Sequence, residues 1–261
     1  MLEFKNVSYG WKEHEPLQRE LSFHLQKGGI LSVLGGNGSG KSSMLSVFTN
    51  PAMLSAGDIL INGTEFRSLS GSRLFSQLAV VAQKASAVYP FSVLDFVLTG
   101  WFPWFGIMGS PGKKEISGAR DILCRIGIGD WERRIVTTLS GGEFKLVQLA
   151  RAMVGDRRLL LLDEVDGALD FANLVRLTDI LSTFTENGGS IVLVTHNPNL
   201  PLTLDSDVLI LSRNLPWVLG RAAELIVPDI LEKYFRVKVG QVISTETGCR
   251  QIIPHMHRQQ S

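Results

Sequence analysis

Short apolar runs recur along the chain and alternate with longer segments whose apolar residues have helical spacing. The runs that predict buried strands lie at residues 30–34, 78–81, 159–162, 191–195 and 208–211. Residues 172–186 show the helical pattern that separates them. This alternation predicts an α/β fold with a largely parallel sheet. Two more polar runs, at residues 2–7 and 58–61, predict separate strands in the first half of the chain.

Two regions depart from this alternation. Residues from about 91 to 151 contain helical patterns, at 115–126 and 141–153, and a loop rich in glycine, proline and aromatic residues, but no strand pattern. We therefore expect a helical insertion there. Residues from about 220 to 261 carry two strand-like runs, at 238–244 and 250–253, and predict a small C-terminal appendage. We expect both regions to belong to a single domain that spans residues 1–261.

Composition narrows the class of protein. The chain has 261 residues, of which 44% are hydrophobic, and its net charge of +1 gives no electrostatic argument for binding nucleic acid. We expect Cys124 and Cys249, which are far apart and lack metal-ligand spacing, to be small core residues in a reducing compartment. We expect neither a signal peptide nor a membrane span, because no uncharged apolar run reaches about 18 residues.

Residues 35–42 carry the first candidate chemistry. They read G-G-N-G-S-G-K-S and match G-x-x-x-x-G-K-[ST], the loop that cradles nucleotide phosphates. Glycines in such a loop allow sharp turns that aim backbone N–H groups at anionic oxygens. We expect Lys41 to reach the β- and γ-phosphates and the Ser42 hydroxyl to ligate Mg²⁺. The strand pattern before the loop and the helical pattern over residues 43–49 supply the strand–loop–helix context of this motif.

A later apolar run ends in two acids. Residues 159–164 read L-L-L-L-D-E. We expect Asp163 to hold Mg²⁺, directly or through water, and Glu164 to orient or deprotonate an attacking water. Taken alone, the run also fits an ordinary buried strand that ends in solvated acids. The phosphate-binding loop upstream favours the metal site.

A third segment, L-S-G-G-E at residues 139–143, begins a predicted helix. Ser140 is a favourable N-cap residue. Its hydroxyl and the N–H groups of Gly141 and Gly142 would form another helix start that attracts anions. The alternative interpretation is a plain loop with a capping serine.

In this order, the motifs resemble those of the ATP-binding subunits of ABC transporters, over nearly the whole chain. Residues 35–42 are similar to the Walker A loop of that family, residues 139–143 to its signature motif and residues 159–164 to its Walker B strand. Gln83 lies where the family has its Q-loop glutamine, and His196 lies where it has the switch histidine.

Two further positions match the family. Ala168-Leu169-Asp170 resembles the D-loop. Tyr9 lies where these proteins carry an aromatic residue that stacks on adenine, although on sequence alone it could also pack within a strand. The resemblance implies a P-loop NTPase fold of the ABC ATPase type, with a RecA-like core, an N-terminal antiparallel β subdomain and a helical subdomain.

The resemblance also implies the residues of the site. The implied ATP-binding residues are Tyr9, Gly36, Asn37, Gly38, Ser39, Gly40, Lys41, Ser42, Ser43, Ser140, Gly141, Gly142 and Asp170. The implied Mg²⁺ ligands are Ser42, Gln83 and Asp163, and the implied catalytic residues are Lys41, Gln83, Glu164 and His196.

A mechanism and a set of partners follow from the same resemblance. Two copies of the chain would pair head to tail around two ATP molecules, and each site would use one copy's Walker motifs with the other copy's Ser140 and Gly142. Lys41 and Mg²⁺ would neutralise phosphate charge, while Glu164 and His196 would align water. The further partners implied are two integral membrane permease subunits and, indirectly, a substrate-binding protein. The subunit would be peripheral, at the cytoplasmic face of the membrane.

Several residues differ from the common family pattern. Val165 and Asp166 stand where Pro-Thr usually follows Walker B, and Asn197 stands where Asp usually follows the switch histidine. After the signature motif, residues 144–146 read F-K-L, where Arg-Gln-Arg or similar is common. These changes remove no catalytic group, but they are compatible with an atypical or slow ATPase.

A weaker resemblance, to one group of importers, indicates the class of cargo. Residues 92–109 are similar to a segment of importers for ferric siderophores, vitamin B12 and haem, although Trp101 stands where Arg is usual. The aromatic residues between 96 and 105 favour an interface with membrane subunits over core packing. Residues 196–199 and 227–231 resemble the same group. We expect a ferric siderophore importer, with vitamin B12, haem and molybdate-type cargo left open.

Two other classes compete with a transport ATPase. A soluble ABC-type ATPase acting on DNA or ribosomes is disfavoured by the balanced charge and by the lack of a heptad run. A nucleotide-dependent scaffold without hydrolysis is suggested only by the departures near Val165 and Leu146.

Overall fold

The fold is that of a computed structural model, which describes residues 1–11, 14–83, 89–105, 109–167, 169–246 and 248–254. The predicted D-loop residue Ala168 lies outside the described residues. The strands are β1 Leu2–Tyr9, β2 Gln18–Leu25, β3 Ile30–Gly35, β4 Leu54–Ile61, β5 Thr64–Glu65, β6 Leu78–Val81, β7 Leu159–Asp163, β8 Ser190–Val194, β9 Asp207–Leu211, β10 Val218–Arg221, β11 Val239–Ile243 and β12 Arg250–Pro254. The helices are α1 Lys41–Ser46, α2 Gly71–Gln77, α3 Val93–Leu98, α4 Phe102–Phe105, α5 Lys113–Arg125, α6 Gly141–Met153, α7 Phe171–Glu186, α8 Asn199–Thr203, α9 Ala222–Leu225 and α10 Pro228–Phe235.

The central layer is a six-stranded sheet in the order β10-β9-β3-β8-β7-β6, parallel except for β10 at its edge. Successive side chains of a strand point to opposite faces. In β7, Leu160 and Leu162 therefore join one hydrophobic cluster while Leu159 and Leu161 join another. The sheet is covered on both faces, which explains why its strands were recognisable as continuous apolar runs. The predicted α/β class is confirmed.

A four-stranded antiparallel sheet, in the order β2-β1-β4-β5, lies in the first quarter of the chain. Its β1 pairs with a neighbour on each side, so both edges of this strand are hydrogen bonded. Aromatic packing joins this sheet to the rest, since Phe4 stacks on Phe23 with ring centroids 4.4 Å apart and meets Phe48 at 6.3 Å. This is the predicted N-terminal β subdomain.

The described residues between 91 and 151 form helices α3 to α6 and short 3₁₀ turns, with an isolated bridge between Ser92 and Ile135. Buried apolar side chains of α3, α5 and α6 share one cluster with β7 and β8 of the central sheet. Residues 106–108, part of the segment that resembles importers for ferric siderophores, vitamin B12 and haem, lie outside the described residues.

The C-terminal region is tied to the central sheet. Strand β10 belongs to that sheet, so the expected boundary near residue 220 falls inside a strand. Leu231 and Ile252 pack in one cluster with Val208 and Ile210 of β9. Strands β11 and β12 form a separate hairpin.

Two further findings concern the expectations from composition. Cys124 and Cys249 are both exposed, so the prediction that they are core residues is wrong. Among the described residues, no helix has the length and apolar character needed to cross a membrane.

Candidate functional site

The glycine-rich loop connects β3 to α1, as its sequence predicts. Gly38 and Gly40 have positive φ angles of 74° and 97°, a conformation that glycine adopts without steric cost. Lys41 is 5% exposed, and its Nζ donates hydrogen bonds to the carbonyl oxygens of Gly35 (2.9 Å) and Gly36 (3.2 Å). Burial lowers the pKa of Lys41, while Glu164 and Asp163 oppose that shift. The ammonium group is therefore held across the loop, next to the carboxylates.

Neighbouring elements fix the outside of this loop. The Gln18 amide donates to the carbonyl oxygens of Ser39 (2.9 Å) and Ser212 (2.8 Å), and thereby ties the loop to the end of β9. Arg213 donates from Nε to the Gly38 carbonyl at 2.8 Å. Ser39 Oγ is buried and has no hydrogen-bond partner among the described residues. Such an orphan hydroxyl fits a cradle that is completed by a polar ligand.

A pair of oxygen ligands lies at the start of α1. Ser42 Oγ donates to Asp163 Oδ1 at 3.0 Å, and Asp163 is the last residue of β7. Burial raises the pKa of Asp163, and its hydrogen bond with Ser42 opposes the shift. A hydroxyl and a carboxylate are the oxygen ligands that suit Mg²⁺. The donor set therefore fits the predicted metal site.

The predicted catalytic residues meet on the other side of the same cavity. Glu164 Oε1 lies 2.8 Å from His196 Nε2, and the Gln83 amide donates to Glu164 Oε2. Glu164 has a φ of 48°, so the chain turns sharply after β7 instead of continuing as an extended strand.

These groups surround a cavity of about 300 Å³. Its lining consists of Asn37, Gly38, Gly40, Lys41, Ser42, Ser43, Gln83, Glu164 and His196. The carboxyl ends of parallel strands lie at one edge of a sheet, and β3, β6, β7 and β8 each lead into a residue of this lining. The structure thus brings together the Walker A, Q-loop, Walker B and switch residues.

The signature motif lies apart from this cavity. Ser140 is exposed and caps α6: its Oγ accepts from the Glu143 N–H at 3.2 Å, and its own N–H donates to Glu143 Oε2 at 2.8 Å. Arg134 donates to Glu143 Oε1 at 2.7 Å and lowers the pKa of that carboxyl. Ser140, Gly141 and Gly142 are not among the described residues that line the cavity. Asp170 is likewise exposed, and it caps α7 by accepting from the Asn173 N–H at 2.8 Å.

The adenine-stacking role predicted for Tyr9 is contradicted. Tyr9 is 0% exposed, because its side chain packs in the hydrophobic cluster between the two sheets' apolar residues. Its hydroxyl donates to the Gly40 carbonyl at 3.1 Å, so it supports the phosphate loop from behind. Trp11, two residues further on, is 56% exposed. Gly10, which follows the strand, is the sequence signal that could have separated these two aromatic residues.

Lys145 was missed as a site residue. Its Nζ donates to the carbonyl oxygens of Ala82 (3.0 Å) and Gln83 (2.7 Å), at the end of β6. The side chain thus joins the signature helix α6 to the Q-loop. The sequence signal that could have identified it is its place in residues 144–146, where the chain departs from the common family pattern.

The parallel sheet and the geometry of the glycine loop define the class as a P-loop nucleotide-binding protein. A family model described as "ABC transporter" matches residues 18–166. A shorter match, to a model described as an AAA domain, covers residues 133–203. The chain belongs to the ABC transporter family and carries its ATP-binding cassette, the ATP-hydrolysing part of these systems.

Individual relatives cover most of the chain. It is 30% identical to a hemin import ATP-binding protein, HmuV, of Burkholderia ambifaria, over 91% of this chain and 93% of the relative. It is 30% identical to a molybdate import ATP-binding protein, MolC, of Haemophilus influenzae, over 90% of this chain and 88% of the relative. A solved structure described as a metal-chelate type ABC transporter in an inward-facing conformation superposes with a TM-score of 0.85 at 26% identity, over 98% of this chain and 97% of that one.

Proposed function

We propose that this chain is the ATP-hydrolysing subunit of an ABC import system for metal-chelate cargo. The observation that carries the proposal is the position of Glu164. Its carboxylate is held between Gln83 and His196, across a cavity from Lys41 and the Ser42–Asp163 pair. That arrangement provides a phosphate cradle, a metal site and a base for water in one place.

Each group has a defined task in this proposal. Lys41 and the backbone N–H groups of residues 36–43 bind the phosphates of ATP. Ser42, Asp163 and Gln83 would hold Mg²⁺, which would supply charge neutralisation for the transferred phosphoryl group. Glu164 accepts a proton from the attacking water, and His196 orients the Glu164 carboxylate through their 2.8 Å contact.

Trp11 replaces Tyr9 as the proposed adenine platform. An aromatic face needs access to solvent before a base can stack on it, and Trp11 has that access while Tyr9 has none. The Tyr9 hydroxyl donates to the Gly40 carbonyl, so β1 ends beside the phosphate loop, two residues before Trp11.

A head-to-tail dimer completes the site in this proposal. Ser140 and Gly141 are exposed at the start of α6, and they lie apart from the cavity of their own chain. A helix start with a capping hydroxyl suits a phosphate. A second copy would present this surface to the γ-phosphate, with Asp170 and its neighbours at the seam.

The permease surface is proposed to be a groove of about 750 Å³ that lies between α2, β6, α4 and α6. Phe102 and Pro103 line it, and Phe102 is 56% exposed. Trp101, by contrast, is partly buried and packs near Gly118 of α5, so the predicted interface role falls to Phe102 and Trp104. An exposed aromatic beside a concave surface is typical of a protein interface.

One buried cation fixes the floor of this groove. Arg157 is 7% exposed, donates to the carbonyl oxygens of Phe75 (2.9 Å) and Val154 (3.1 Å), and also donates to that of Gly100. Burial lowers its pKa to about 10. These bonds join α2, the start of α4 and the end of α6, so the groove has a fixed shape for a permease element. Binding there would place the subunit at the cytoplasmic membrane surface.

Among the cargoes, a ferric siderophore remains our first proposal, with haem, vitamin B12 and molybdate as alternatives. The support is the metal-chelate class of the superposed structure and the matching segments of the sequence. The relatives described above are named for hemin and molybdate, so the choice of siderophore within this class rests on sequence resemblance.

The decisive experiment replaces Glu164 with Gln. The variant is expected to bind ATP but to hydrolyse it very slowly, because the amide does not take a proton from water, and nucleotide-bound dimers should accumulate. Glu186→Gln, at the exposed end of α7, is the matched control and should behave like the wild type. ATP turnover and dimer content are measured by phosphate release and size-exclusion chromatography. Wild-type turnover in the Glu164 variant would contradict the assignment, while a wild-type chain that binds ATP without hydrolysing it would favour the scaffold hypothesis.

A further inference from the structure

We propose that Asp166 is a positioning residue, which holds the switch histidine His196 against Glu164 through the hydroxyl of Thr195. The inference rests on the proposed ATPase function, and it assigns a task to a partly buried acid that the mechanism above does not use.

The two loops involved run side by side. Strands β7 and β8 are parallel neighbours, with Asp163 in register with Val194. The Glu164 N–H donates to the Val194 carbonyl at 2.9 Å, so the pairing continues one residue beyond β7. Two side-chain contacts then join the loops: Glu164 with His196, and Asp166 with Thr195.

The Thr195 hydroxyl is fixed from both sides. Thr195 is 0% exposed, and its Oγ1 donates to Asp166 Oδ2 at 2.6 Å. The same oxygen accepts from the Asn197 N–H at 3.0 Å. His196 lies between these two residues in sequence, so the hydrogen bonds set the backbone on both sides of its imidazole. A carboxylate acceptor makes the short Thr195 contact a strong one.

Packing alone does not hold the imidazole. The His196 side chain is 45% exposed, while the Glu164 side chain is 17% exposed. A partly exposed ring depends on its backbone and its hydrogen bond for orientation. Asp166 supplies the backbone constraint, and Glu164 supplies the hydrogen bond.

Asp166 occupies an environment that is costly for an acid. Its Oδ1 is buried and has no hydrogen-bond partner among the described residues. Burial raises its pKa and the Thr195 hydrogen bond opposes the shift; the charged groups that interact with it include Glu164, His196 and Lys145. A buried oxygen without a partner is destabilising, which is a cost that active sites retain when geometry requires it.

Asp166 and Asn197 both depart from the common family pattern, and both hydrogen-bond to the Thr195 hydroxyl, Asp166 through its carboxylate and Asn197 through its backbone N–H. The acid expected after the switch histidine is replaced by Asn197, and an acid appears instead at position 166. The Asn197 side chain accepts from the Asn199 N–H at 3.0 Å, in the turn that leads into α8. In this chain the carboxylate that faces Thr195 therefore comes from the Walker B loop.

The test measures kcat and KM for MgATP hydrolysis by the full-length chain, together with equilibrium binding of a fluorescent ATP analogue. Asp166→Ala is expected to lower kcat about tenfold to a hundredfold, because a misplaced catalytic group costs up to roughly 10² in rate. KM and analogue binding should stay unchanged, since the phosphate loop is untouched. Asp166→Asn keeps an acceptor oxygen for Thr195 and should retain most of kcat. Glu186→Ala is the matched control.

Repeating the Asp166→Ala substitution in a His196→Ala chain distinguishes a positioning role from general destabilisation of the protein. In a His196→Ala chain, adding Asp166→Ala should lower kcat no further, because the residue acts through the imidazole. If Asp166→Ala does not fold, Thr195→Val removes the same hydrogen bond at nearly constant volume and should give the same kcat loss. Thermal unfolding of each variant reports its stability.

The inference would be overturned by equal kcat losses in both backgrounds, by an effect confined to KM, or by an Asn variant as slow as the Ala variant. A wild-type chain without ATPase activity would instead overturn the proposed function and the inference with it. Loss of kcat in Glu164→Gln combined with full activity in Asp166→Ala would overturn the inference alone.

Discussion

If Tyr9 supports the phosphate loop and Trp11 stacks on adenine, substitutions at the two residues should have opposite effects on stability and on ATP binding. Tyr9→Phe removes only the hydroxyl that donates to the Gly40 carbonyl at 3.1 Å. That carbonyl also accepts from the Met44 N–H at 2.9 Å, so the substitution leaves no orphan acceptor. The ring remains in the core and creates no cavity. The expected cost is therefore that of one hydrogen bond, about 1 kcal/mol of unfolding free energy, with ATP affinity nearly unchanged.

Trp11→Ala should show the reverse. The side chain is 56% exposed, so its removal should change stability by less than about 0.5 kcal/mol. Loss of base stacking costs about 1–3 kcal/mol per base, which corresponds to roughly 5- to 150-fold weaker ATP binding. Trp104→Ala, which removes another partly exposed tryptophan away from the phosphate cavity, is the control.

Urea unfolding and titration with a fluorescent ATP analogue distinguish the two effects. The reasoning fails if Tyr9→Phe weakens ATP binding more than about tenfold at unchanged stability. It also fails if Trp11→Ala binds ATP as the wild type does, since no exposed aromatic surface would then contribute to the site.

Two further outcomes concern the partners. Phe102→Asp should abolish co-purification with the permease while leaving ATP binding intact, because it places a charge in the proposed docking groove. The control is Val242→Asp, which places the same charge at a 48% exposed residue of β11. Co-purification of the permease with both variants would contradict the groove assignment. Deletion of the subunit should prevent growth on ferric siderophores as the iron source, whereas unchanged growth on every ferric chelate would exclude siderophore cargo.

The strands of the central sheet could be predicted because they are buried on both faces. Residues 78–81 were placed at the observed bounds of β6, and residues 159–162 differ from β7 only by the terminal Asp163. Helix α6 was also predicted at its observed bounds, since Ser140 is a clear capping residue. Strand β2 and the short edge strands were not predicted, because half-exposed strands lack a continuous apolar run.

The sequence predicted which residues belong to the candidate site better than it predicted their arrangement in space. Lys41, Ser42, Asp163 and Glu164 carry types and spacings that indicate their chemistry before any fold is known, whereas His196 was placed by its resemblance to the family's switch histidine. Tyr9 was misassigned because local sequence does not reveal that its side chain packs in the hydrophobic core. The contacts of Lys145 with the Q-loop join residues that are distant along the chain, and no local pattern reports them.

The sequence by itself determined that this chain binds nucleotide phosphates, because glycine conformations, a lysine and a hydroxyl at fixed spacing suffice for that chemistry. Only the tertiary structure decided which side chains cooperate. The carboxyl ends of three parallel strands bring Gln83, Glu164 and His196 together, and the pairing of β7 with β8 brings Asp166 beside Thr195. Such contacts depend on strand order, which is set by the burial of the whole sheet and not by any single motif.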